Sequence, residues 1–220
     1  MEYFKLDYIL ELFLGGLTRG SIYALIALGY TMVYGIIELI NFAHGEIYMI
    51  GAFTALIVIG VLTLLGWNTV AILIIAALMA VIYSMAYGYT MEKIAYKPLR
   101  TAPRLSALIS AIGVSLFLQN YVLLAQTSDF QPFPALIPKF DFLEGYEHII
   151  SSPEIVIFAT TAIVMILLTI LIKFTRIGKA MRATSQDKVM AALVGINVNS
   201  VISVTFVVGS ATAALGGVLI

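Results

Sequence analysis

Apolar residues fall in long continuous runs separated by short polar stretches. A helix needs about 20 apolar residues to cross the hydrocarbon core of a bilayer. Runs of that order occupy 12–34, 47–65, 70–91, 105–125, 155–172 and 201–220. Backbone groups in lipid must be satisfied internally, so spans are helices or a closed barrel. The ten-residue alternation of barrel strands is missing. The pattern predicts an all-α membrane protein, a polytopic helical bundle of about six spans in a single transmembrane domain, residues 1–220. Composition agrees: 61% of the 220 residues are hydrophobic and 11% are charged, whereas a soluble domain carries about 25% charged residues. The formal net charge of zero gives no pull toward nucleic acid. Cysteine is absent, which removes disulfides and thiolate sites. The start, MEYFKLDYILELF, has acidic residues where a signal peptide has a basic region, and it lacks a small-residue cleavage site. It reads as mature sequence.

Charge in the polar stretches sets orientation. Residues 92–104 hold Lys93, Lys97, Arg100 and Arg104 against Glu92; residues 173–188 hold Lys173, Arg176, Lys179, Arg182 and Lys188 against Asp187. Basic loops stay in the cytoplasm. Between them, residues 126–154 hold Asp129, Asp141, Glu144, Glu147 and Glu154 against Lys139 alone, and this loop is expected outside. Counting spans backward places the N-terminus outside. The outer loop also carries Pro132, Pro134, Pro138 and Pro153 with Phe130, Phe133, Phe140 and Phe142. It suits either a docking surface or a stiff loop resting on the membrane.

Small residues recur every four positions in the first span, Gly16, Gly20 and Ala24, and in the last, Gly209, Ala213 and Gly217. Helices in lipid associate through such close-approach faces. Both sets are expected at packing seams.

The most informative stretch is 34–51, YGIIELINFAHGEIYMIG, which puts Glu38, Asn41, His44 and Glu46 between two apolar runs. Ionisable groups at membrane depth are costly and face a cavity or a partner. On a continuous helix Glu38, Asn41 and His44 would share one face. Gly35 and Gly45 bracket the stretch, as in a discontinuous helix lining a transport path. The stretch is read as a broken or re-entrant segment with these four polar residues beside a translocation pathway. A proton relay through Glu38, His44 and Glu46 and a satisfied interfacial turn are the competing readings. Metal ligation is not expected: the chain has two histidines and no cysteine, and a catalytic zinc needs about three protein ligands. No cofactor is indicated.

The run GSIYALIALGYTMVYGIIELINFAHGEIYMIGA, residues 20–52, closely resembles the LivH-type permeases of branched-chain amino-acid ABC importers, with INFAHGE at 40–46 its most specific part. The stretches EKIAYKPLR at 92–100, LISAIGVSLFLQNYV at 108–122 and RIGKAMRATSQDKVMAALVGIN at 176–197 extend the likeness over nearly the whole chain. The resemblance implies a multi-pass protein of the prokaryotic cell (inner) membrane. Its implied partners are ATP-binding cassette subunits, a second permease subunit, an extracytoplasmic substrate-binding protein and the lipid bilayer.

Residues 178–194 lack proline and contain good helix formers, so a short cytoplasmic helix is expected there. Gly195 suits its C-terminal stop, and Asn199 or Ser200 can cap the next helix. Permeases of this kind present a coupling helix with a Glu-Ala-Ala-x-x-x-Gly pattern to the ATPase. Aligned on Gly195, this chain offers Val189-Met190-Ala191, so the glutamate is replaced. By the resemblance, Arg182, Asp187, Ala191, Ala192 and Gly195 are the candidate ATPase-coupling residues. An ordinary connecting helix held on anionic lipid is the alternative.

No GxxxxGK[ST] sequence occurs, so ATP hydrolysis is not expected of this chain, and no enzymatic activity is indicated. The last run stops at Ile220 without a polar loop, and the chain is expected to be an N-terminal portion. The resemblance implies import of leucine, isoleucine or valine driven by partner ATPases. Urea or short-chain amides are the nearest alternative substrates, and a stand-alone proton-coupled transporter is the competing class.

Overall fold

The computed structural model describes residues 6–100, 102–127, 129, 131–134, 136–137 and 150–220. Phe130, Pro138, Lys139, Phe140, Asp141, Phe142, Glu144, Glu147 and His148 lie outside the described residues, as does the side chain of Arg104.

Among the described residues, six helices are long and apolar enough to span a membrane. They are α1 (Leu6–Ile37), α2 (His44–Leu64), α3 (Thr69–Met91), α4 (Arg104–Ala125), α5 (Ser152–Phe174) and α8 (Val198–Val218). Two shorter helices, α6 (Arg176–Gln186) and α7 (Lys188–Leu193), fill the polar stretch before α8. The described residues contain no strand. Helix starts follow local chemistry. The Asn68 side chain accepts from Val70 N at 2.9 Å and starts α3. At α5, Ser151 and Glu154 form a capping box with Pro153 in the first turn. Pro153 and Glu154 thus belong to a helix start rather than to the loop.

Residues read as a loop after α3 continue as helix: a π-turn over Glu92–Tyr96, then a 3₁₀ turn over Lys97–Leu99. Pro98, which lacks an N–H, sits where the tighter winding begins.

The centre of the bundle is α8, set among α1, α2 and α3. In its most apolar 18-residue stretch 67% of residues are buried, against 11% for α5. Close approach makes this possible. A Cβ on Gly209 would lie 2.9 Å from Val33 Cγ2 and 3.1 Å from the Gly29 carbonyl oxygen, and one on Gly88 would collide with Ser210. Gly209, Ala213 and Gly217 are all buried.

The first span meets α8 through a different face from the one expected. Gly16 and Gly20 are exposed, a Cβ on either would meet nothing, and Ala24 is half-buried. The packed face of α1 is Ile22, Leu25, Gly29, Val33 and Ile36. Spacing of four occurs on both faces of α1. The face that packs is the one on the C-terminal half, where α8 passes.

Candidate functional site

The helical stretch of α1 ends at Ile37, and α2 starts at His44. Residues 38–43 are not helical, so Glu38, Asn41 and His44 do not share a helix face. The expected bracketing glycines do not make the break: Gly35 lies inside α1, Gly45 inside α2, and both are exposed. Glu38 makes it, with φ of 62°. No other described non-glycine residue has positive φ. That conformation is costly for a residue with a Cβ and needs support from its surroundings.

The four polar residues point to different neighbours. Asn41 is buried; its Oδ1 accepts from Tyr96 OH at 2.8 Å and from Ala43 N at 3.1 Å. One amide oxygen thereby closes the turn into α2 and ties it to the π-turn after α3. His44 is also buried, its ring edge-on to Tyr30 with centroids 5.9 Å apart. A Cβ on Gly29 would lie 3.3 Å from His44 Cε1. Gly29 is roughly two helical turns back from Ile37 along α1, so the broken stretch doubles back into the bundle before α2 begins. Asn41 Nδ2 and His44 Nε2 have no hydrogen-bond partner among the described residues. Glu46 is half-buried and accepts from Ser115 Oγ at 2.9 Å, linking α2 to α4. Glu38 faces the other way, toward Lys188 at the start of α7: Lys188 Nζ lies 3.7 Å from Glu38 Oε1 and donates to the Ile37 carbonyl at 3.2 Å.

The segment after α5 is two helices where one was expected. Asp187 divides them; its Oδ1 accepts from Val189 N at 2.8 Å and Met190 N at 2.9 Å, capping α7. Gly195 ends α7 with φ of 88°, its N–H on Ala192 O and the Ile196 N–H on Ala191 O, both at 3.0 Å. This is the Schellman arrangement, in which glycine bears no Cβ penalty. Arg182 turns back to donate to the Ile172 carbonyl at the end of α5. Ala191 is buried and Ala192 exposed. The large exposed side chains of α7 and its end are Val189, Met190, Leu193 and Val194, which form an uncovered apolar surface. Helix α8 is capped by neither Asn199 nor Ser200. Asn197 accepts from Ser200 N at 3.1 Å, while the Asn199 side chain is taken by Arg100.

That last contact belongs to a cluster the sequence reading missed. Glu92, the first residue of the π-turn, is fully buried. Its carboxylate receives Arg100 in a close ion pair, lies 3.5 Å from Lys93 Nζ, and accepts from Ser203 Oγ at 2.9 Å. Lys93 Nζ also donates to Ser203 Oγ at 3.0 Å. The cluster joins the end of α3 to the first turns of α8. Burial lowers the Arg100 guanidinium's affinity for its proton, and the Glu92 charge beside it restores part of that. Glu92 stood in a basic stretch and read as a solvated loop charge. The signal available was its place directly after an unbroken apolar run, one helical turn before Tyr96.

The ends of α1 and α3, the start of α8 and the α6–α7 segment thus gather at one end of the bundle, with Lys97, Arg100, Lys179, Arg182 and Lys188. This is the arrangement that the basic-inside rule requires for its cytoplasmic face.

Residues 12–220 match the family model described as the branched-chain amino acid transport system / permease component. Among individual proteins, the chain is 49% identical over 220 residues to the high-affinity branched-chain amino acid transport system permease protein BraD of Pseudomonas aeruginosa, covering 98% of this chain and 72% of that protein. It is 46% identical over 217 residues to the LivH permease proteins of Salmonella typhimurium and of Escherichia coli K12, covering 97% of this chain and 70% of each. No solved structure matches it significantly. A bundle of six apolar helices, a broken helix carrying the INFAHGE sequence and this extent of identity lead to one assignment: the chain belongs to the family of branched-chain amino-acid transport permeases.

Proposed function

We propose that this protein is the membrane permease subunit of an ABC importer. It takes leucine, isoleucine or valine from an extracytoplasmic binding protein and works in the prokaryotic inner membrane beside a second permease subunit. Its partner ATPases dock on the α6–α7 segment. The observation that carries the reading is the uncovered apolar surface of Val189, Met190, Leu193 and Val194 at the basic end of the bundle, on a helix rigidly capped at Asp187 and Gly195. An apolar helix face of this kind suits a groove on a soluble partner. Asp187 and Gly195 shape that helix, Ala192 lies on its open side, Ala191 seats it on the bundle, and Arg182 fixes its approach from α5.

The translocation pathway in this reading runs beside the broken helix. The N-cap residue of α2, Ala43, has no capping side chain, and Asn41 occupies only the Ala43 and His44 N–H groups, which leaves the following amides of the first turn for a substrate carboxylate. Asn41 and His44 supply neutral polar atoms there, and Glu46 and Glu38 anchor the two sides of the break to α4 and α7. A path for a zwitterion with an apolar side chain is served better by a few dipoles than by a fixed charge. Reconstitution of the full-length permease with its partners tests the proposal: leucine uptake must require both ATP and the binding protein. Uptake that persists without ATP, driven by a proton gradient, would overturn it.

A further inference from the structure

We infer that Lys188 is a positioning residue, the side chain through which the α6–α7 segment sets the conformation of the α1–α2 break. The inference rests on the permease reading and adds to it the residue that carries the motion. Lys188 is the first residue of α7, yet its ammonium donates to the Ile37 carbonyl, the last of α1, at 3.2 Å, and stands 3.7 Å from the Glu38 carboxylate. A cation suits the C-terminal end of α1, where the helix dipole is negative. One group therefore holds both the end of a spanning helix and the residue whose strained backbone makes the break.

The strain is the second observation. Residues with a Cβ persist in the left-handed region only where their surroundings over-determine them. Lys188 supplies part of that determination from a part of the chain far from Glu38 in sequence. The third observation lies just beyond the strain. Asn41 and His44 are buried, and Asn41 Nδ2 and His44 Nε2 have no partner among the described residues. The Asn41 amide oxygen already bridges Tyr96 OH and Ala43 N, so any shift of the break is felt at this buried turn.

The geometry gives the direction of transmission. Helix α7 is short and fixed at both ends, so it moves as a unit. Its open side carries Val189, Met190, Leu193 and Val194 for a partner, and Lys188 reaches from it toward the bundle. When a docked partner shifts α7, Lys188 shifts with it, and Ile37 and Glu38 follow. The turn that buries Asn41 and His44 is then free to rearrange.

The test uses the full-length permease with its partner subunits and binding protein in proteoliposomes, reading leucine taken up per ATP hydrolysed beside the stimulated ATPase rate. Lys188→Met and Glu38→Gln should each lower uptake per ATP by about fivefold, the smaller end of measured coupling between sites, with stimulation intact. The combined variant should lose no more than either alone. Lys188→Arg, which keeps charge and donors, should retain the wild-type ratio. Losses that multiply in the combined variant overturn the inference. So does stimulation that falls in step with uptake, since Lys188 would then serve docking alone. A second measurement replaces the contact by a covalent link: cysteines at 38 and 188, where residues 1–220 have no other, are bridged by a short bifunctional thiol reagent, and turnover is compared with that of the unbridged protein. Turnover that survives bridging supports a pair that moves as one, and turnover blocked by bridging overturns it. Wild-type protein that takes up no leucine with ATP overturns the permease reading itself, a result distinct from wild-type transport with independent variants.

Discussion

Replacing Glu92 by Gln keeps the volume of the side chain but turns one acceptor oxygen into an NH2 donor and removes the anion that Arg100 and Lys93 surround. Glu92 is fully buried, whereas the side chains of Arg100 and Lys93 are 18% and 31% exposed. Removing one partner of a buried ion pair costs about 3–5 kcal/mol because the other charge is stranded. Both cations here can turn partly toward water, which puts the expected loss at the low end, about 3 kcal/mol. At about 2–4 °C per kcal/mol for a chain of this size, Glu92→Gln should melt about 6–12 °C below the wild type in detergent. The combined change Glu92→Leu with Arg100→Leu replaces charges by apolar groups of similar reach, and such exchanges are often neutral. It should therefore recover most of the loss. Thermal unfolding followed by helical circular dichroism reads both. A Glu92→Gln protein that melts with the wild type, or a double variant that melts below Glu92→Gln, would show that the cluster does not hold α3 to α8.

Single cysteines at Lys97 and Arg182 should resist a membrane-impermeant thiol reagent in intact cells while one at Glu144 reacts; labelling at Lys97 without labelling at Glu144 reverses the topology. Gly195→Leu places a Cβ at φ of 88°, a strain of about 1–2 kcal/mol, and should insert normally while losing stimulation of ATP hydrolysis by loaded binding protein. His44→Gln removes titration but keeps hydrogen bonding, so ATP-driven uptake should remain substantial with its pH profile little changed; abolished uptake with normal ATPase stimulation would restore the proton relay. Gly209→Val forces side-chain atoms onto Val33 and the Gly29 carbonyl. It should destabilise the bundle by about 1–3 kcal/mol through overpacking, read as a lower melting temperature.

The spans were legible because lipid demands the same thing of every one of them: a continuous apolar run with its hydrogen bonds closed on itself. The break was legible as well, since Glu38, Asn41, His44 and Glu46 stand in a stretch that lipid alone would not tolerate. What was hidden is the choice among local equivalents. Gly35 and Gly45 are the residues that bend most readily, yet Glu38 carries the positive φ, with Lys188 of α7 across from it. Gly16 and Gly209 look alike in spacing, but only the second lies where another helix crosses. Asn199 is as good a cap as Asn197 in isolation and is spent on Arg100 instead. In each case the deciding partner is remote in the chain, and local pattern does not record it.

The central place of α8 bears on how the bundle comes into being. Helices α1, α2 and α3 all rest on it, and it follows them in the chain by more than a hundred residues. At synthesis rates of 5–20 residues per second, the first three spans wait for about ten seconds before their common neighbour leaves the ribosome. During that interval Gly29 and Gly88, which lie close against Gly209, Ser210 and Thr212 of α8 in the folded bundle, lack that neighbour. Helices α2 and α3 also pack directly on each other, so they can pair early, while the faces that meet α8 close only when it arrives. A ribosome stalled before residue 198 should leave a chain that is threaded through the membrane yet open to membrane-embedded proteases.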